Sequence, residues 1–350
     1  MKILFLSNAS GYGGSERTLE IIIKELSSTH EITVIAENVK HVSLLKKNKI
    51  QVLSVRKEKR MSIFFKNMRL IFSQVKNNDC VISNTNKAGL YLALLKIFFP
   101  SIKTRKILIF VRDFQWKFIR FITFILGNEK FCVANEVVFD YLKKYKVEPY
   151  IIPNPVCIPA QKDIADNNNI PVILCPAMIS RWKGINFLIE ACSYIKQDFE
   201  LIIIGQRVDN DYFSSLIELI DKLNMTNKVI FVDYTNEIDL YYEKSTVVVS
   251  SSISEYGGPE TFGRVIIEAW AHKKPVVSFD CGGPSYLINH GHDGILVPEK
   301  DTVLLAKALQ KIISDKSSAR AMGINGYNEI IQSFNSKTVC EKLMTYIDAP

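Results

Sequence analysis

Residues 150–160 read YIIPNPVCIPA, with prolines at positions 153, 155 and 159. Proline lacks an amide donor and has a fixed φ, so this stretch continues neither a helix nor a central strand. Asparagine-rich residues 162–169 follow, and the two segments together read as a domain linker. Before them, short Ile/Val/Leu runs at 3–6, 32–35, 80–82, 107–111 and 131–134 alternate with segments of helical period such as 17–26 and 87–98. After them the rhythm restarts at 172–175 and continues at 201–204, 229–232, 247–249 and 276–279. Helical stretches at 301–314, 319–333 and 337–347 close the chain. Unbroken apolar strands joined by helical crossovers specify parallel sheets covered on both faces. The expected fold is α/β: two doubly wound domains facing across a ligand cleft. Residues 1–157 form the first, 158–335 the second, and 336–350 a helix that crosses back to the first.

Composition excludes several classes. A chain of 350 residues with 47% hydrophobic and 23% charged content is neither disordered nor fibrous. The run at 3–6 is too short for a secretory core, and no stretch approaches the ~20 apolar residues of a spanning helix. A cytoplasmic location follows as an expectation. Seven cysteines, at 80, 132, 157, 175, 192, 281 and 340, show no CxxC spacing, as expected of reduced, buried thiols. His290 and His292 have no third ligand nearby, so no metal is expected. Charge segregates: residues 1–157 hold 26 Lys+Arg against 12 Asp+Glu, a net of +14, and the remainder holds 18 against 24, a net of −6. Such asymmetry points to two domains that meet different partners.

Three loops carry candidate chemistry. After the first strand comes ASGYGGSER, where Gly13 and Gly14 bring backbone amides close to an anion at a helix start. With Glu16 at the last position the segment is not GxGxxG, so no dinucleotide fingerprint is present. In the second half, PAMISRWKGINFLIEA places Arg181 and Lys183 just ahead of a helix, at the sheet edge where open α/β folds bind ligands. Cations there suit a diphosphate leaving group; otherwise they are solvated charges, which the helix dipole opposes. The densest segment is SSSISEYGGPETFGRVIIEAWA, residues 250–271. Its helix is expected to begin near Thr261, with the amides of Thr261, Phe262 and Gly263 facing an anionic ligand. Glu260 and Glu268 are eight residues apart, ~12 Å of helix rise, too far for a glycosidase pair at ~5–9.5 Å. The plainer reading has Glu260 compensating the dipole and Glu268 pairing with Arg264 at i,i+4. Asp209 and Asp211 form a DxD pattern, but at a helix start they read as capping residues.

ETFGRVIIE resembles the Glu-x7-Glu motif of the retaining glycosyltransferases of family 4, which have two Rossmann-like domains of the GT-B type. The GGSE and RWKG loops, PNPV at the domain boundary, and DCGGPSYLI ahead of HDGILVP recur in that family's order. The resemblance implies a metal-independent enzyme with no cofactor, in which the leaving phosphate helps deprotonate the acceptor. By it, Glu260 contacts the donor sugar, Glu268 the ribose hydroxyls and Lys183 the diphosphate, while Gly13 and Gly14 approach the phosphates. Two positions depart from the pattern. Met178 stands where an arginine is common, which leaves Arg181 to substitute. VRDFQW stands where a histidine is common, so Arg112 would stabilise charge and Asp113 orient the acceptor.

The implied partners are a UDP- or GDP-sugar donor and a glycan or lipid-linked glycan acceptor, as in lipopolysaccharide or capsule assembly. Two basic and aromatic stretches, 56–70 and 114–126, suit an anionic membrane surface on the inner face of the plasma membrane. Equally they are amphipathic helices with solvated lysines. No nucleic-acid module accompanies the charge. A nucleotide-sugar epimerase of the same architecture and a non-catalytic membrane or polyanion binder remain as alternatives.

Overall fold

The computed structural model describes residues 1–9, 11–57, 60–99, 106–113, 116, 118–159 and 170–349. The chain divides into two units, Met1–Pro155 with Asn335–Pro350, and Val156–Phe334. The division falls two residues ahead of the expected one, and linker residues 162–169 lie outside the described ones.

The first unit holds a parallel sheet of seven strands: β1 (Lys2–Ser7), β2 (Glu31–Ala36), β3 (Gln51–Ser54), β4 (Cys80–Ser83), β5 (Lys106–Val111), β6 (Lys130–Val133) and β7 (Tyr150–Ile151). Their order is β3-β2-β1-β4-β5-β6-β7. Successive β1 residues point to opposite faces. Leu4 and Leu6 enter a core with Ile71, Leu92 and Ile122, and Ile3 and Phe5 one with Leu19, Ile22 and Leu343. That two-sided burial is why the strands read as unbroken apolar runs. The terminal helix Ser336–Asp348 belongs to this unit. Val339, Leu343 and Ile347 are buried with the helix Gly14–Leu26, each worth roughly 1.5–3 kcal/mol by burial. Ser336 Oγ donates to Glu25 Oε2 at 2.7 Å, and Tyr346 stacks on Tyr150 at 4.5 Å.

The second unit repeats the plan with β8 (Val172–Pro176), β9 (Glu200–Ile204), β10 (Val229–Val232), β11 (Val247–Ser250), β12 (Val276–Phe279) and β13 (Gly294–Val297), in the order β10-β9-β8-β11-β12-β13. In both sheets the chain order reverses beside the first strand, at β1/β4 and at β8/β11. The carboxyl ends of strands at such a reversal are where open α/β sheets bind ligands. Trp270 anchors this core, fully buried with its indole N–H donating to the Asp293 carbonyl at 2.9 Å.

Three strands escape the sequence reading for physical reasons. β3 is a half-exposed edge strand flanked by lysines, β7 is two residues long inside the proline-rich stretch, and β13 is a short edge strand after a glycine turn. Among the described residues no helix is long and apolar enough to cross a membrane.

Candidate active site

In the second unit the segment RWK forms a 3-10 turn, Arg181–Lys183, that ends on Gly184 at φ 58°. A Cβ on Gly184 would lie 2.1 Å from the Ser251 carbonyl oxygen, so only glycine lets this turn seat against the end of β11. Ile253 N–H donates to the Trp182 carbonyl at 2.8 Å and Ser251 Oγ to the Lys183 carbonyl at 2.9 Å. Lys183 is thereby fixed over the strand edge, its Nζ 3.9 Å from the centre of the Trp182 ring.

Lys183 Nζ meets Glu260 Oε2 at 2.5 Å, and Ser252 Oγ donates to the same oxygen at 3.3 Å. Burial alone raises the Glu260 carboxyl. The Lys183 charge and hydrogen bond, the Ser252 hydroxyl and the Gly263 amide outweigh it and leave the group below its ordinary value. The backbone of Glu260 is pinned by the DCGG loop: Gly283 N–H donates to its carbonyl at 2.7 Å. Gly282, at φ 72°, passes so close that a Cβ would sit 2.3 Å from that oxygen.

The helix expected near Thr261 begins three residues later, as Arg264–Ala271. Thr261, Phe262 and Gly263 instead form the approach to it. Phe262 is buried, and Gly263 at φ 96° redirects the chain into the first turn. Glu260 thus stands outside the helix, and helix rise alone does not give its distance from Glu268. Glu268 lies on the helix and takes Arg264 Nε on Oε1 at 2.8 Å, the i,i+4 pair the spacing allows. Its Oε2 accepts from Tyr242 at 2.9 Å.

Arg181 pairs with Asp209, Nε to Oδ2 at 3.2 Å, and lies over the Tyr212 ring at 5.5 Å. Asp209 Oδ1 meanwhile accepts from Tyr212 N–H at 2.8 Å and caps the helix Asn210–Lys222. The first aspartate of the DxD pattern is a helix cap that also holds an arginine.

In the first unit Gly13 is the N-cap of the helix Gly14–Leu26, and its amide donates to Glu16 Oε2 at 2.9 Å. That amide is engaged within the loop, and Glu16 adds a negative charge at the helix start. Arg112 follows β5. Its two terminal nitrogens donate to Asn154 Oδ1 at 2.8 Å and Asn84 Oδ1 at 2.7 Å, and it lies over the Phe110 ring. Asp113 is exposed, its carbonyl accepting from Asn86 Nδ2 at 3.1 Å. The sequence reading missed Asn84, Asn154, Ser252 and Tyr242. A signal for the first existed: Ser-Asn closes two strands, at 7–8 and 83–84, and these strands prove to be neighbours.

Residues 159–329 match the family model of glycosyl transferases group 1. The lipopolysaccharide core biosynthesis glycosyltransferase LpsE of Rhizobium meliloti is 24% identical over 77% of this chain and 64% of its own length. Probable sucrose-phosphate synthase 3 of Arabidopsis thaliana is 29% identical over 52% of this chain and 18% of its own. The chain thus spans less than two thirds of either relative. The crystal structure of Anabaena HepE in complex with UDP superposes with a TM-score of 0.87 over 99% of both chains at 22% identity, and its complex with UDP-glucose at 0.86. At that identity the likeness is one of fold. Residues 159–329 therefore match the glycosyl transferases group 1, and the whole chain has the two-domain Rossmann-like fold, the GT-B type, of solved glycosyltransferases.

Proposed function

We propose that this protein is a retaining glycosyltransferase that moves a sugar from a UDP- or GDP-sugar to a glycan or lipid-linked glycan, without a metal or other cofactor. The observation that carries the reading is the Lys183–Glu260 pair at 2.5 Å, fixed by the RWKG turn and the DCGG loop within the segment that matches the family. In the proposed reaction Lys183 binds the diphosphate, Arg181 supports it once released from Asp209, and Glu260 contacts the donor sugar. Gly13 and Gly14 approach the phosphates, and the amides of Thr261, Phe262 and Gly263 lie beside the donor. The bond from the anomeric carbon to the phosphate oxygen breaks as the acceptor oxygen bonds the same face, and the acceptor proton passes to the leaving phosphate. Arg112 stabilises the developing charge, and Asp113 orients the acceptor. UDP and UDP-glucose in the HepE complexes support a uridine donor, and the LpsE relative supports a role in surface polysaccharide assembly.

The acceptor is proposed to sit at an anionic membrane surface. Arg56, Lys57, Arg60, Met61, Phe65, Lys66 and Arg69 are all exposed around the start of the helix Met61–Asn77, which supports that reading. Residues 58, 59, 114, 115 and 117 of the two basic stretches lie outside the described ones. Retention in the pellet with phosphatidylglycerol vesicles at low salt, and release at high salt, is the expected result.

The test of function is a thermal-shift screen of UDP, GDP, ADP and their sugar conjugates without metal, on the wild type and on Glu268→Ala. One nucleotide should raise the melting temperature by mass action, and the variant should lose most of that rise. No rise with any nucleotide would overturn the proposal.

A further inference from the structure

In the first sheet the neighbouring parallel strands β1, β4, β5, β6 and β7 are each followed, past the carboxyl end, by a residue with a polar amide or guanidinium side chain. In sheet order these are Asn8, Asn84, Arg112, Asn135 and Asn154, one to three residues beyond their strands. Asn84 and Asn154 are engaged, because their side-chain oxygens accept from Arg112 at 2.7 and 2.8 Å. Asn135 stands between Arg112 and Asn154 in that order and takes no part in the network. Asn8 stands past Asn84 at the other end.

Asn8 and Asn135 are 1% and 3% exposed, and neither polar atom of either side chain has a hydrogen-bond partner among the described residues. Local roles do not account for them. An asparagine at a helix N-cap ordinarily accepts from the first turn, yet Asn135, the N-cap of the helix Glu136–Lys143, makes no such side-chain bond. Buried polar groups are nearly always paired, since an unpaired one costs stability. Four unpaired atoms along one sheet edge call for a partner from outside the chain.

The chemistry of the row names the class of that partner. A carboxamide offers both donors and an acceptor, and so does a hydroxyl. A phosphate or carboxylate only accepts and would leave both amide oxygens unpaired. Neighbouring strands lie ~4.8 Å apart, so the row from Asn8 to Asn154 spans about 19 Å, the reach of an oligosaccharide rather than of one ring. We infer that Asn8 and Asn135 bind hydroxyls of an uncharged saccharide in the acceptor, at two points of the row on either side of Arg112. This rests on the proposed function, in which residues of the first unit meet the acceptor, and adds what that acceptor presents to them.

The experiment measures binding of methyl glucoside, methyl galactoside and methyl mannoside by saturation-transfer NMR, with methyl glucuronoside as the charged counterpart. The full chain is used with saturating UDP, or GDP if guanine is the base. The proteins are the wild type, Asn8→Leu and Asn135→Leu, with the isosteric Asn8→Asp and Asn135→Asp deciding if a leucine variant fails to fold. The wild type should bind at least one neutral hexoside, and a substitution at either position should weaken it about tenfold. Nucleotide affinity, measured by titration, should hold in every folded variant. Hexoside binding that survives in the folded variants overturns the inference and leaves the amides to water. Equal weakening of nucleotide and hexoside assigns the row to the donor and overturns it too. So does a wild type that prefers the glucuronoside, or one that binds nucleotide but no hexoside; both leave the glycosyltransferase reading intact. Absence of nucleotide binding by the folded wild type overturns the functional reading, and with it the identity of the saccharide as an acceptor.

Discussion

Each unit carries a cation beyond the carboxyl end of a strand, and the two are held by different chemistry. Asn84 and Asn154 orient Arg112 through neutral amide oxygens at 2.7 and 2.8 Å. Lys183 is oriented by a carboxylate, Glu260 Oε2, at 2.5 Å. An amide oxygen aims a guanidinium as a neutral acceptor, whereas a carboxylate aims its partner and brings an opposite charge to it. An arriving diphosphate would therefore share Lys183 with Glu260, a counter-charge the site already holds. The proposed function assigns developing charge to Arg112 and the diphosphate to Lys183.

That contrast breaks first at Lys183. Lys183→Ala should lower kcat/KM for sugar transfer by about 10²–10³-fold, the cost of losing a charge-stabilising group, and weaken nucleotide binding with it. Arg112→Ala should lower kcat while leaving nucleotide affinity nearly constant. Steady-state kinetics beside nucleotide titration separates the two. If Arg112→Ala weakens nucleotide binding as much as Lys183→Ala does, the division of labour is wrong.

Next in size is the turn beneath Lys183. Gly184→Ala places a Cβ 2.1 Å from the Ser251 oxygen at a φ of 58°. It should cost on the order of 1–3 kcal/mol by urea unfolding, with a matching loss of donor affinity. A neutral outcome would mean that the turn is not what fixes the lysine.

Acid tests the pair itself. The folded Glu260 carboxyl lies below its ordinary value of 4.5. Its contribution to stability is therefore complete above pH 4.5 and is lost as the pH falls through the folded value. The melting-temperature advantage of wild type over Glu260→Gln should be constant near neutrality and shrink in acid. An advantage that grows in acid would reverse the assignment.

The smallest effect is expected at Asp209, whose ion pair with Arg181 is partly exposed, with side chains 45% and 31% accessible. Asparagine caps a helix about as well as aspartate, so Asp209→Asn should change stability by less than ~1 kcal/mol. It frees Arg181, so nucleotide affinity should hold or rise slightly in isothermal titration.

The two units were also unequally legible. Strand–helix alternation gave both sheets, because strands buried on two faces leave long Ile/Val/Leu runs. Edge strands such as Gln51–Ser54 bury too little to leave that mark. In the second unit the candidate groups lie in short contiguous motifs, so ETFGRVIIE and RWKG could be found as strings. In the first unit they converge from distant strand ends: Asn84, Arg112 and Asn154 are separated by 28 or more residues and meet only through strand order. The Tyr242–Glu268 bond was equally hidden, since nothing in a lone tyrosine 26 residues upstream announces its partner. The helix start was misplaced by three residues because Gly263, at φ 96°, lets the chain turn before the first helical residue.

The most direct test of the central claim, that Lys183 holds the diphosphate of a sugar nucleotide whose sugar meets Glu260, is isothermal titration of UDP, UDP-glucose and GDP without metal. It compares the wild type with Lys183→Ala. Binding of one nucleotide by the wild type, weakened at least about tenfold in a folded Lys183→Ala, is the predicted result. Equal binding by both proteins, or none by the wild type, would contradict it.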